Sequence, residues 1–352
     1  MDENKFEKYL VANLILDHVD LSGFRFQNRK IQGQMFSNCR FPTSMEGSGF
    51  FHCNFSDCQF DQSVLRNCRF ELCSFESCSF DGARFSNTQV AVTSFHGCSF
   101  KDAQIRSNSW ENFAVMKCDL SSASTPDTML KTGIFDDCHL NGFELGNAKV
   151  VLVHFIKAPM AAFSWESAYF DRCSFIESNF DDLSLDGLRL TACNFTKASF
   201  KCTVFKNCDL HTSIFIQASL LETRFVACDL NNGSFAEALA SKTRFSESQM
   251  NDCVFQDADL SNANFMSCSM NGSVFQRANL SETKMVSCSA SRTNFAHAKA
   301  KDTLFANVGF FESDFHAVDP REVVYQGLSN FGQKKFDPIR MRGEFFQKRP
   351  IE

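Results

Sequence analysis

The chain has 352 residues, 44% of them apolar, and a formal charge of −6 at pH 7, which gives enough material for a large core and is too acidic for broad contact with a phosphate backbone. No run of eighteen apolar residues occurs, so no transmembrane helix is expected. Phe appears 42 times and Cys 17 times, against 3 Tyr and 2 Trp; a core that asks for one side chain so often has one slot copied many times, and repeats are the first thing to seek.

The N-terminus, MDENKFEKYL, lacks the basic and apolar stretches of a secretory signal. With so many cysteines and no export signal, a cytoplasmic chain with reduced thiols is expected, while secretion without a cleaved signal stays open. Residues 1–18 read as an N-terminal cap, with Phe6, Leu10 and Leu14 on one face of a short helix over 2–16. A five-residue repeat then begins at Leu21, Phe26, Ile31, Phe36 and Phe41. From Phe41 to Phe50 the interval is nine rather than ten, so a register slip falls in 42–49, PTSMEGSG. Its Pro and Gly predict a turn or small loop that corrects the register, with a partner-binding loop as the alternative.

From Phe50 to Phe315 the repeat holds without insertion or deletion. Of its 54 positions, 28 are Phe, 12 Leu and only Thr125 is polar, a regularity that chance does not sustain. The position two residues earlier is small, as at Cys53, Cys58, Ser63, Cys68, Cys73, Cys78 and Ala83. Of the 17 Cys, 15 stand there, Cys39 has the same place in the earlier register, and only Cys202 falls outside. The cysteines therefore read as small buried hydrophobes. Residues two apart share one side of an extended chain, and a period of five adds a corner to each short extended piece. A second period of 20 shows in Phe55, Phe75 and Phe95 and again from Phe135 to Phe315, with Val115 the one gap. Four pentads thus close one square coil, and stacked coils put Phe over Phe.

The middle breaks the small-residue rule. Asn108, Phe113, Phe143, Val153, Phe163, Leu183 and Leu188 replace small residues, and Thr125-Pro126 and Pro159 lie nearby, so coils from about 105 to 190 should be wider, bent or rebuilt. After the repeat, Asp319-Pro320-Arg321-Glu322 has the pattern of an N-cap, Pro at the first helical position and Glu at the third. A C-terminal helix of about three turns ending near Gly332 is expected, with 318–352 as helix and basic tail. That tail, KKFDPIRMRGEFFQKRP, mixes bases with apolar residues, as a docking segment or a wrapped tail would.

This pattern resembles the pentapeptide-repeat family, whose consensus is A(D/N)LXX; ADLSN at Ala258–Asn262 and ANLSE at Ala278–Glu282 carry the likeness. The resemblance covers about residues 19–317 and implies an all-β solenoid, a right-handed four-sided β-helix of about 14–15 coils with a short C-terminal helix. Relatives of known role include fluoroquinolone-resistance proteins that engage DNA gyrase and bacterial effectors; several gyrase-protecting relatives have long loop insertions that this chain lacks.

Chemistry needs unlike groups converging in a pocket, and a rod filled by Phe offers none. No HExxH, P-loop or GxSxG motif occurs, so no enzyme, catalytic residue, metal or cofactor is expected. Cys202 is the one thiol at an outward position. Two surfaces are candidates. Met116, Ile134, Ile156, Ile176, Ile214 and Ile216 are apolar at outward positions on the face of the Phe55 column, as a partner interface would be. Asp61, Asp81, Asp102, Asp119, Asp181 and Asp182 mark an acidic face, interrupted by Lys101 and Lys201. The leading expectation is a non-catalytic scaffold that binds a protein partner or itself, without direct contact to nucleic acid or membrane. The alternatives are a DNA-mimic regulator or protector of a type II topoisomerase, and a bacterial effector delivered to a host cell.

Overall fold

In nearly every pentad the central residue and the one two before it are buried while most of their neighbours face out. The structure, a computed structural model, describes residues 3–12, 14–158, 160–165 and 167–327. The chain divides into two units, Met1–Ser178 and Asn179–Glu352. Each is a β-solenoid, and together they make about 15 turns of almost wholly parallel strands. The corner comes from one left-handed residue two places after each centre, as at Asn67, Leu72, Ser77 and Gly82, with φ of 52°, 55°, 51° and 63°. For residues other than Gly that conformation costs about 1–2 kcal/mol each. The coil-to-coil ladder holds it in place: Ser77 N–H donates to the His96 carbonyl at 2.9 Å.

The expected period of 20 is the ladder register. In the first unit Ser74, Phe75 and Glu76 lie opposite Ser94, Phe95 and His96; in the second, Arg224, Phe225 and Val226 lie opposite Arg244, Phe245 and Ser246. Identical side chains stacked at one strand spacing put rings face to face. Phe55 and Phe75 are 4.4 Å apart at 4°, Phe215 and Phe235 4.9 Å at 2°, and Phe235 and Phe255 4.7 Å at 8°. Each such pair contributes about 0.5–1.5 kcal/mol beyond burial.

The small positions explain the cysteines more fully than size does. Thr243 Oγ1 donates to the Leu220 carbonyl at 2.7 Å and Ser273 Oγ to that of Met250 at 2.7 Å. Cys118 Sγ makes the same contact with Phe95 at 3.5 Å. In return, Cys98 N–H donates to Cys118 Sγ at 3.3 Å. Cys thus stands in for Ser or Thr as a weak donor and acceptor. Every cysteine is free and buried except Cys202, which is half-buried at a corner with φ 58°. Burial pushes the thiols of Cys68 and Cys138 up to about 11.

Three expectations need correction. The slip at 42–49 is not a loop. Ser44–Glu46 is a strand, Met45 is buried and lies opposite Phe26 on one side and Leu65 on the other. One side of that coil is a tetrad, Phe41 to Met45, so no residue is left to loop out. The N-terminal helix, Glu3–Val11, buries Phe6 against Phe24 and Phe26, but Leu10 is half-buried and Leu14 is exposed. The helix ends at Val11 and Leu16 enters the first strand instead. Arg29 fastens this cap, with Nη1 2.6 Å from Glu7 Oε1 and its guanidinium over the Phe6 ring.

The third correction is the C-terminal helix. Asp319 does cap a turn, accepting from Arg321 N–H, but the turn is a three-residue 3-10 helix, Pro320–Glu322. Val323–Gln326 then forms a strand in register with Thr303–Ala306. Val323 and Tyr325 fit the repeat's small and central positions, so pairing with the exposed edge outweighs continuing a helix. Leu328, Phe331, Gly332 and the basic tail lie outside the described residues.

The bulky small-position residues of the first unit are accommodated. Three strands of eight residues replace the usual threes: Ser109–Met116, Met129–Asp136 and Lys149–Ile156. Val115 leaves the Phe column one ring short, and Trp110 fills in by stacking on Phe95 at 5.4 Å and 18°. Phe113 packs edge-on to Trp110 at 5.7 Å. Directly opposite Phe113 stands Gly133, where an added Cβ would lie 2.3 Å from the Phe113 ring. Phe143 and Val153 are likewise buried; in the second unit Leu188 is buried, whereas Leu183 is only half-buried. Pro159 lies outside the described residues.

Candidate interaction surfaces

In a coil whose inside is filled, function must be carried by the outward positions, and their polarity follows from the pentad. Met116, Ile134, Ile156 and Ile176 all point out from the first unit. Ile156 is 40% and Ile176 45% exposed, while Met116 and Ile134 are half-buried. They are not one unbroken stripe: Asp136 lies opposite Met116 on one side and Ile156 on the other. Ile156 and Ile176 are consecutive, one coil apart, on the ladder that pairs His154 with Ser174. Ile214 and Ile216, in the second unit, are half-buried, with Ile214 between Asn194 and Ser234 in the ladder.

The acidic face is largely occupied with its own backbone. Asp61 accepts from the Ser79 hydroxyl and from Asp81 N–H at 3.1 Å. Asp81 does the same with Ser99 and with Lys101 N–H at 3.0 Å, and Asp181 with Ser199 Oγ at 2.6 Å and Lys201 N–H at 2.8 Å. These carboxylates stitch one coil to the next. Asp119 accepts from Ser121 N–H at 3.0 Å and pairs with Lys101 Nζ at 3.2 Å. Partial burial would raise its carboxyl pKa, but the Ser121 and Lys101 contacts outweigh that and hold it below the usual carboxylate range. Asp102 and Asp182 sit at exposed corners with φ of 55° and 61°.

One cluster escaped the sequence reading, because its members share no motif. Asp209, His211 and Asp229 bring three metal-ligating side chains within 4.8 Å of one another. His211 Nδ1 is 2.6 Å from Asp209 Oδ1. Each carboxylate also accepts a backbone N–H two residues on, Asp209 from His211 at 3.3 Å and Asp229 from Asn231 at 3.0 Å. Asp259 with Ser261 and Asp314 with His316 make the same turn, and Asp209 and Asp229 lie opposite each other in the ladder, so the cluster is explained as two stacked turns. No helix among the described residues is long and apolar enough to cross a membrane.

The sequence matches the family described as Pentapeptide repeats in eight copies, over residues 53–88, 173–211, 193–232 and 234–272. No curated protein matches. Among solved structures, the chain is similar to full-length QnrB1, a plasmid-mediated fluoroquinolone resistance protein, at 16% identity and TM-score 0.41, over 56% of this chain and 91% of that one. It is also similar to HetL, a pentapeptide repeat protein involved in heterocyst differentiation regulation from the cyanobacterium Nostoc sp. strain PCC 7120, at 13% identity and TM-score 0.25, over 79% and 96%. A mannuronic acid specific polysaccharide family 6 lyase from human gut microbiota matches at 10% identity and TM-score 0.30, over 97% and 92%.

Proposed function

The chain is a pentapeptide-repeat protein, and from that premise we propose that it is a non-catalytic scaffold that holds another protein against the outward apolar residues of its first unit. The observation that carries the reading is the pair Ile156 and Ile176, each exposed by two-fifths or more and consecutive on a rigid ladder. Outward positions on this fold are otherwise mostly Ser, Asn, Asp, Thr, Lys and Arg, so two branched apolar side chains held in line are costly to leave in water unless covered. The half-buried Ile134 and Met116 widen the apolar surface beside them. The acidic residues support a rival role as DNA mimic less well, since Asp61, Asp81 and Asp181 are spent on the adjacent coil.

The test is Ile156→Asp with Ile176→Asp, read by capture of partners from native lysate and by thermal unfolding. Capture should be lost, because the change puts unpaired charge in an apolar contact, while stability should move by no more than about 0.5 kcal/mol per site. Unchanged capture by a folded double variant would rule out this face.

A further inference from the structure

The first coils of the first unit carry a second surface, distinct from the isoleucine pair. Ile15 and Met35 stand outward at 54% and 47% exposure, one coil apart beside the paired centres Leu16 and Phe36. Leu14, next to Ile15, is 50% exposed. Ile15 and Met35, with Asp17, Ser37, Ser56 and Glu76, line a groove of about 690 Å³. Asp17 and Glu76 are exposed in that groove, and Asp57 is exposed at the neighbouring corner. The outward positions flanking centres Leu16, Phe36, Phe55 and Phe75 include no Lys or Arg; their one basic side chain, His18, is 2.9 Å from Asp17. The surface is therefore apolar along its floor and acidic at its sides.

The chain carries the complement. Residues 334–350 hold the bases Lys334, Lys335, Arg340, Arg342, Lys348 and Arg349 against the acids Asp337 and Glu344, six minus two for a net +4. Phe336, Ile339, Met341, Phe345 and Phe346 are interspersed among them. We propose that the groove receives residues 334–350 of a second copy of this chain. Opposite charge steers the encounter and fixes its direction, and burial of the apolar residues against Ile15 and Met35 supplies affinity. Such a contact joins unlike surfaces, groove to tail, and makes association between copies depend on concentration.

A fluorescent peptide of residues 334–350, titrated with the full chain and read by anisotropy, tests this, with a scrambled peptide of equal composition as control. Saturable binding is expected, weakened by about tenfold or more in Met35→Asp and in Glu76→Lys and weakened by salt. Circular dichroism checks that each variant is folded, and the Glu76 variant, altered at an exposed site, keeps the test open if the Met35 variant is not. Sedimentation of the full chain should show mass rising with concentration and falling back to the monomer with excess peptide. Ile156→Asp with Ile176→Asp should leave peptide binding unchanged, which separates this contact from the partner face. Equal binding of the scrambled peptide, wild-type binding by both groove variants, or a chain that stays monomeric at every concentration would each overturn the proposal.

Discussion

The regular coils of the second unit and the long strands of the first solve one problem in two ways. From 200 to 290 the small positions are Thr, Ser, Cys, Ala or Gly, the Phe rings stack nearly parallel, and each layer repeats the one below. Between 109 and 156 the centre shrinks to Val115, a Trp and an off-column Phe fill the space, and a glycine yields to that Phe. In the regular stretch every layer leans on its neighbours, ring on ring along the Phe215 to Phe275 column. The irregular stretch depends on one matched pair, Phe113 and Gly133. The lesson is that this fold fixes the volume of a layer, not which position supplies it.

The largest effect should come from breaking a stack in the regular stretch. Phe235→Ala removes a ring that lies face to face with both Phe215 and Phe255 and should cost about 3–5 kcal/mol. Hydrogen exchange, followed coil by coil, is the measurement, since repeat arrays need not unfold in one step. Exchange unchanged near Phe215 and Phe255 would show that stacking does not couple layers.

Gly133→Ala sharpens the other side of the comparison. The added methyl falls on the Phe113 ring, so about 1–3 kcal/mol of overpacking is expected in chemical denaturation. Phe113→Ala alone leaves a cavity. The double variant should be clearly less unstable than the sum of the two, because each change relieves the other. Simple additivity would mean that the two residues do not share volume.

The smallest effect concerns thiols, of which ten lie in the first unit and seven in the second. Cys68 and Cys138 titrate from an ordinary 9.0 up to about 11 in the folded chain, chiefly because burial disfavours the thiolate. Unfolded thiols therefore ionise first as pH rises, and the stability linked to these thiols is intact below about 9 and is lost as pH climbs toward about 11. Thiolate absorbance measured against pH should lag that of the denatured chain. Titration of the native protein at the denatured position would contradict the burial.

The amino-acid sequence by itself determined the solenoid, its four sides, its buried centres and the packing role of its cysteines. A period of five and a period of 20 leave one way to stack identical side chains, and the ladder register agrees pair by pair. It also placed the isoleucines outward, because alternation along an extended strand decides which side a residue takes. It did not determine how a broken layer is mended: nothing in the pattern says that Phe113 is matched by Gly133, since they stand 20 residues apart and meet only when coils stack. Nor did it foresee that Val323–Gln326 would pair as a strand. Local capping signals at Asp319 favour a helix, but the open edge at Thr303–Ala306 offers backbone partners that a local signal cannot register. The same limit applies to the surface. Asp61 and Asp81 look like free charge in the sequence, and only the tertiary structure, by bringing the next coil's N–H and hydroxyl groups within reach, turns them into stitches.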